Sequence, residues 1–133
     1  MTAQSDPLLR KAHADLIIER AAQQLSDILH AAVAELDPFP PYPGSFFNYG
    51  IEVEPGALAN PERGCIVVGQ DGELYELIMM MNADADFNDP VAMRDEEMKK
   101  LELHPSEYVA FAYNAIRAVV EYALEQQEKA FGS

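Results

Sequence analysis

The chain has 133 residues, 49% of them apolar and 24% charged, which is the usage of a globular domain and not of a disordered chain. Nine Lys and Arg against 23 Asp and Glu leave a net charge of −14, a field that repels phosphate backbones and anionic lipid heads, so neither nucleic acid nor a membrane is an expected partner. The lone cysteine, Cys65, excludes an internal disulfide and suits a reducing, cytoplasmic setting; neither a signal leader nor an apolar run of the roughly 20 residues that span a membrane is expected.

Ser5-Asp6-Pro7 opens the first element. Asp6 can cap free backbone N–H groups, and Pro7 gives up no hydrogen bond at the first helical position. Leu9, Ala12, Leu16, Ile18, Ala22, Leu25, Ile28, Leu29, Ala32 and Leu36 then recur at steps that keep them near one helical stripe. No Gly or Pro interrupts the run until Asp37-Pro38 stops it. A helix of about 30 residues, roughly 45 Å long, overhangs a core of this size. It is therefore expected to bend, break or meet a second subunit.

The stretch Asp37-Pro-Phe-Pro-Pro-Tyr-Pro-Gly44 excludes helix and central strand, because proline donates to neither ladder. It reads as a stiff connector whose Phe39 and Tyr42 rings pack back on the domain. From Phe46 to Glu54, alternation puts Phe47, Tyr49, Ile51 and Val53 on one side of a strand and Asn48, Glu52 and Glu54 on the other. Cys65-Ile-Val-Val is a second, β-branched strand, with Cys65 read as a buried core thiol. Asp71-Gly72 supplies a hairpin turn, and Glu73 to Met81 the returning strand. The three make an antiparallel meander.

Asp89-Pro90 repeats the cap-then-proline pattern and predicts a short helix from Val91 to about Lys100, with Asp95, Glu96 and Glu97 preceding Lys99 and Lys100. His104-Pro105 enters the last helix. There Val109, Ala112, Tyr113, Ile116, Val120, Ala123 and Leu124 form one stripe, and Tyr108, Phe111, Ala115, Ala118 and Tyr122 form another. That arc is wider than one face of a small sheet covers, so part of it is expected against the first helix and part against a partner copy. The fold class read from the sequence is α+β in a single domain, 1–133. A long N-terminal helix, a three-stranded meander, a short helix and a long C-terminal helix pack together in it.

Chemistry-bearing patterns are few. Asp84, Asp86 and Asn88 place oxygen ligands at positions one, three and five of a stretch that resembles the start of a calcium loop of the EF-hand kind, with Asp95 at position twelve. Asp89 stands where such a loop needs glycine, and Asp95 is shorter than the usual bidentate Glu. These four residues are the candidate metal ligands. The competing reading is an Asx-rich loop bonding its own backbone.

Asp27 and His30 share a helix face but lack a second pair of ligands, while His13 and His30 point in different directions. Glu52 and Glu54 share a strand face within reach of Glu73 or Glu76 across the meander, a uniformly wet carboxylate group with no contrasting partner for acid–base work. No glycine-rich phosphate loop, serine elbow or zinc spacing occurs, so no catalytic residue and no cofactor is assigned.

In size and acidity alone the chain is similar to type III secretion chaperones. The expected function is a non-enzymatic protein-interaction or regulatory module, working as an acidic homodimer and open to a basic protein partner. The alternative is a small-molecule or divalent-cation binder using the acidic loop over 82–97.

Overall fold

A computed structural model describes residues 6–45, 48–56, 64–81 and 94–131, with 79–81 and 94–95 described by backbone alone. Two long helices flank four strands: α1 (Pro7–Ala34), β1 (Ile51–Val53), β2 (Cys65–Val68), β3 (Leu74–Met81), β4 (Arg94–Lys100) and α2 (Pro105–Phe131). The strands form one antiparallel sheet in the order β1-β2-β3-β4. The α+β class read from the sequence holds.

Both helices start as their sequences dictate. Asp6 accepts from the Leu8 N–H at 2.9 Å, and Pro7 follows it. His104 opens α2: its carbonyl accepts from the Glu107 and Tyr108 N–H groups at 2.9 Å, and its Nδ1 lies 3.3 Å from the Ser106 N–H.

The core lies between the helices and one sheet face. Leu29 and Val33 of α1 meet Phe111, Ala115 and Val119 of α2 over Val53, Ile66, Val68 and Leu74. The register explains the choice of strand residues, because Val53 sits opposite Ile66 and Val68 opposite Leu74, all with the same orientation. None of the buried side chains among the described residues is charged. Removing the Phe111 ring from this packing leaves a void the two helices cannot close.

The far sheet face has its own smaller core. Val67 and Leu77 are buried there beneath Tyr42, with Tyr75 and Met98 beside them. Tyr42 arrives on a hairpin of the proline-rich segment, where the Gly50 N–H donates to Pro40 O at 3.2 Å and the Tyr42 N–H to Asn48 O at 3.0 Å. The hairpin reaches across to β4: Ser45 Oγ and Asn48 Nδ2 donate to Glu96 Oε2 at 2.6 and 2.9 Å. Phe39, in the same segment, turns the other way into the helix-side core. Both rings pack back on the fold as their sequence setting requires.

Three expectations are corrected. The segment read as a short helix to Lys100 is strand from Arg94 onward, paired with β3 along its whole length from Met81↔Arg94 to Tyr75↔Lys100. An aspartate cap is worth about 1 kcal/mol, and a ladder of backbone hydrogen bonds against a long apolar strand outweighs it. Only Met98 between Arg94 and Lys100 is apolar, so a helix there has no face to bury, whereas charged residues suit a strand with an open outer edge. The meander thus has four strands.

Cys65 is exposed, not buried. It starts β2 on the far face, at the margin of the patch that Tyr42 covers. The first described strand is shorter than the alternation suggests: Tyr49 makes only an isolated bridge to Pro41 and is half exposed, and β1 begins at Ile51. Phe46 and Phe47 lie outside the described residues.

At the β2–β3 turn Gly72 has φ +81°, and a Cβ there would stand 2.7 Å from His30 Cδ2. Both the turn and the passage of α1 above it require glycine. The core prediction follows: Phe111→Ala destabilises the fold by about 3–5 kcal/mol, read as a fall in the midpoint of urea unfolding with an unchanged slope.

Candidate functional site

Among the described residues, and apart from the Glu96 anchor, three groups of polar side chains stand out. At the β2–β3 turn, Tyr75 donates its hydroxyl to Asp71 Oδ2, and Asp71 Oδ1 accepts from the Glu73 N–H at 3.0 Å. The Asp71 hydrogen bond comes first, and burial second, in pushing the Tyr75 phenol up to about 12. Burial works against the charge on Asp71, but hydrogen bonds from Tyr75 and Glu73 outweigh it and hold the carboxyl below its ordinary range. Beside this pair, Glu73 Oε1 lies 3.4 Å from His30 Nε2 and 3.9 Å from Lys100 Nζ, which ties the turn to α1 and β4.

On the helix side, burial raises the Tyr108 phenol while its hydrogen bond with Ser26 works the other way. The Ser26 carbonyl also lies 2.6 Å from His30 Nδ1. The sequence pairs His30 with Asp27, but the structure separates them. Asp27 accepts from Gln23 Nε2 at 3.0 Å, and His30 turns to Ser26 and Glu73. That partner choice rests on where the β2–β3 turn meets α1, which no local spacing encodes.

The second place is the outer edge of the sheet. Glu52 and Glu54 of the β1 segment and Asn114, Arg117 and Glu121 of α2 line an open cleft of about 360 Å³. Asn114 Nδ2 fixes its floor by donating to Glu54 O at 2.9 Å. Glu52 and Glu54 do lie together, as their alternation implies. Neither Glu73 nor Glu76 joins them: Glu73 is held at the turn, and Glu76 accepts from the Gly64 N–H at 2.7 Å, with its Cα paired to Ile66. The partner carboxylate is instead Glu121, which sequence reading missed because it comes from α2.

The third place is on the far face, where the buried Tyr42 hydroxyl bonds the exposed Cys65 thiol. Burial leads and this bond adds to it in raising the Tyr42 phenol far above its ordinary range.

Asp84, Asp86 and Asn88 lie outside the described residues; Asp95 is placed only by its backbone, in β4 opposite Met80. Among the described residues, no group of three His, Cys, Asp or Glu side chains is arranged to hold a metal ion. No described helix is long and apolar enough to cross a membrane. No protein-family model, curated protein or solved structure matches the chain.

The most prominent unfilled surface is apolar. Leu8, Leu9, Leu16 and Ile17 of α1 and Tyr113, Val120, Leu124 and Phe131 of α2 are all exposed, Phe131 at 89%. Steps of seven, four and seven residues place the last four on one side of α2. This stripe lies beside, not within, the row of Phe111, Ala115 and Val119 that faces the core.

The turn pair is open to spectroscopy. In a phenolate absorbance titration one tyrosine, Tyr75, ionises near pH 12, and Asp71→Asn returns it towards about 10. The raised pKa stabilises the fold fully below about pH 10 and is lost as pH climbs through 12, so the Tyr75→Phe variant loses less of its stability across that window than the parent.

Proposed function

We propose that this protein is a non-enzymatic interaction module that works as a homodimer, closing its exposed apolar helix surface against a second copy and leaving its acidic sheet edge for a basic protein partner. The observation that carries this reading is the row Tyr113, Val120, Leu124 and Phe131 on α2, large side chains exposed along one helix face. A row of exposed large apolar side chains on a highly charged protein points to an interaction site. The row spans nineteen residues, Tyr113 to Phe131, and runs past Val119, the last buried residue of α2, which gives it the extent of an interface and not of scattered surface leucines.

The acidic cleft supports the second half of the reading. Glu52, Glu54 and Glu121 crowd one rim, with Arg117 beside them, and Arg117 NH2 stands 3.9 Å from Glu121 Oε1. A basic segment laid there gains from the summed field of a chain at −14. The exposed free thiol of Cys65 fits residence in a reducing, cytoplasmic compartment. The polar groups described above are engaged in hydrogen bonds that tie elements of the fold together, Ser26 Oγ at 3.3 Å from His30 Nδ1 among them, which favours binding over catalysis.

The dimer is tested by light scattering. The parent protein runs at twice its 14.8 kDa protomer mass, and Tyr113→Glu, at a position that is 56% exposed and so dispensable for the core, shifts it to the protomer mass with an unchanged circular dichroism spectrum. A parent that stays monomeric at high concentration removes the reading.

A further inference from the structure

The two helices are staggered, and the stagger defines how a second copy fits. Ser26 bonds Tyr108, and a hollow at the start of α2 is lined by Glu19, Ala22 and Gln23 of α1 with Leu103, Pro105 and Tyr108. With Ser26 level with Tyr108, the buried α2 residues Phe111, Ala115 and Val119 match the buried stretch of α1 that follows Ser26, Leu29 and Val33, and not the exposed stretch before it, so the helices run in the same direction. At that offset α1 ends beside Ile116. About fifteen residues of α1 therefore precede the start of α2, and about fifteen of α2 outlast α1, each overhang being roughly 22 Å long. The exposure pattern agrees: every α1 residue from Pro7 to Ile17 is exposed, as is every α2 residue from Leu124 to Phe131.

We infer that the second copy docks antiparallel on the helical layer, so that the α2 overhang of each protomer lies along the α1 overhang of the other. This rests on the homodimer reading above and specifies its geometry. A two-fold axis across parallel, staggered helices brings the lower overhang of one copy level with the upper overhang of the other, and equal overhang lengths let both contacts form at once. Such reciprocity is what a closed two-fold interface requires.

The side chains match in register. Setting Phe131 beside the partner's Leu8 and Leu9 sets Leu124 beside the partner's Leu16, because both pairs advance by about seven residues in opposite directions. It also brings Glu128 within reach of the partner's Arg10 and Lys11.

Charge selects this pairing over α2 against α2. Residues 7–21 carry Arg10, Lys11 and Arg20 against Asp15 and Glu19, a local excess of bases in a chain that is otherwise strongly acidic. Residues 117–131 carry Glu121, Glu125 and Glu128 against Arg117 and Lys129. Like overhangs repel and unlike ones attract. The antiparallel arrangement also sets the negative C-terminal end of α2 by the positive N-terminal end of the partner's α1. Together the two overhangs offer about 30 residues per copy, the number a stable interface uses on each side.

The test uses the full chain with Cys65→Ser, in two versions carrying Leu16→Cys or Leu124→Cys. Mixed, exchanged by incubation and oxidised mildly, they are expected to form the mixed disulfide at least tenfold over either self-linked species. A protein that is dimeric by light scattering yet links Leu124→Cys chiefly to itself overturns this geometry and leaves the homodimer standing. A parent protein that is monomeric overturns both. A Leu16→Glu variant gives an independent readout: at least a tenfold weaker dimer is expected, whereas unchanged affinity shows that the α1 overhang lies outside the interface and sinks the inference.

Discussion

The structure depends on one packed cluster, in which Leu29 of α1 and Phe111 of α2 are buried together over one sheet face. Both side chains are fully buried, and around them gather Val33, Ala115, Val119 and the inward strand residues Val53, Ile66, Val68 and Leu74. The contact falls late in α1 and early in α2. A parallel pair joined at that position cannot be flush, so the protein carries two overhangs. The exposed apolar rows are thus a consequence of where the core grips each helix.

The sheet is closed on both faces by different means. Helices cover one face with aliphatic and aromatic bulk. A proline-stiffened hairpin covers the other, anchored by the Tyr42 ring and by Ser45 and Asn48 on Glu96. Proline lowers the entropy lost in ordering the segment, so one ring and one charge-assisted polar anchor suffice to hold it. The hairpin uses Glu96 of β4 as its anchor point, which makes the fourth strand part of the covering of the far face as well as of the ladder.

Much of this was legible in the residues themselves. Asp6-Pro7 and His104-Pro105 mark both helix starts, Asp71-Gly72 marks the turn, and Phe39 and Tyr42 have no role in a proline-rich stretch unless they pack. The fourth strand was not legible, because Asp89-Pro90 followed by acids and then lysines is sound helix grammar, and only the long apolar partner strand overrides it. Cys65 misled for a related reason: a thiol in Cys-Ile-Val-Val reads as core, but β-strand alternation sends it to the far face, where it stays exposed at the margin of the Tyr42 cover. At the sheet edge the sequence grouped Glu52 with Glu54 correctly and missed Glu121, since no spacing connects residues 67 or more positions apart. The Asp84, Asp86 and Asn88 loop lies outside the described residues.

A protomer at −14 approaching its own copy raises an obvious objection to self-association. The answer lies in range. At physiological ionic strength the repulsion between exposed charges is screened beyond about 8 Å, whereas apolar burial acts only on contact and grows with every side chain covered. The acids are also unevenly placed. Between residues 41 and 90 the sequence has nine acids against a single base, Arg63. The helices are nearer to neutrality, and their overhangs differ in sign. Screened net charge therefore does not forbid the proposed dimer, whose contact would form on the helical layer.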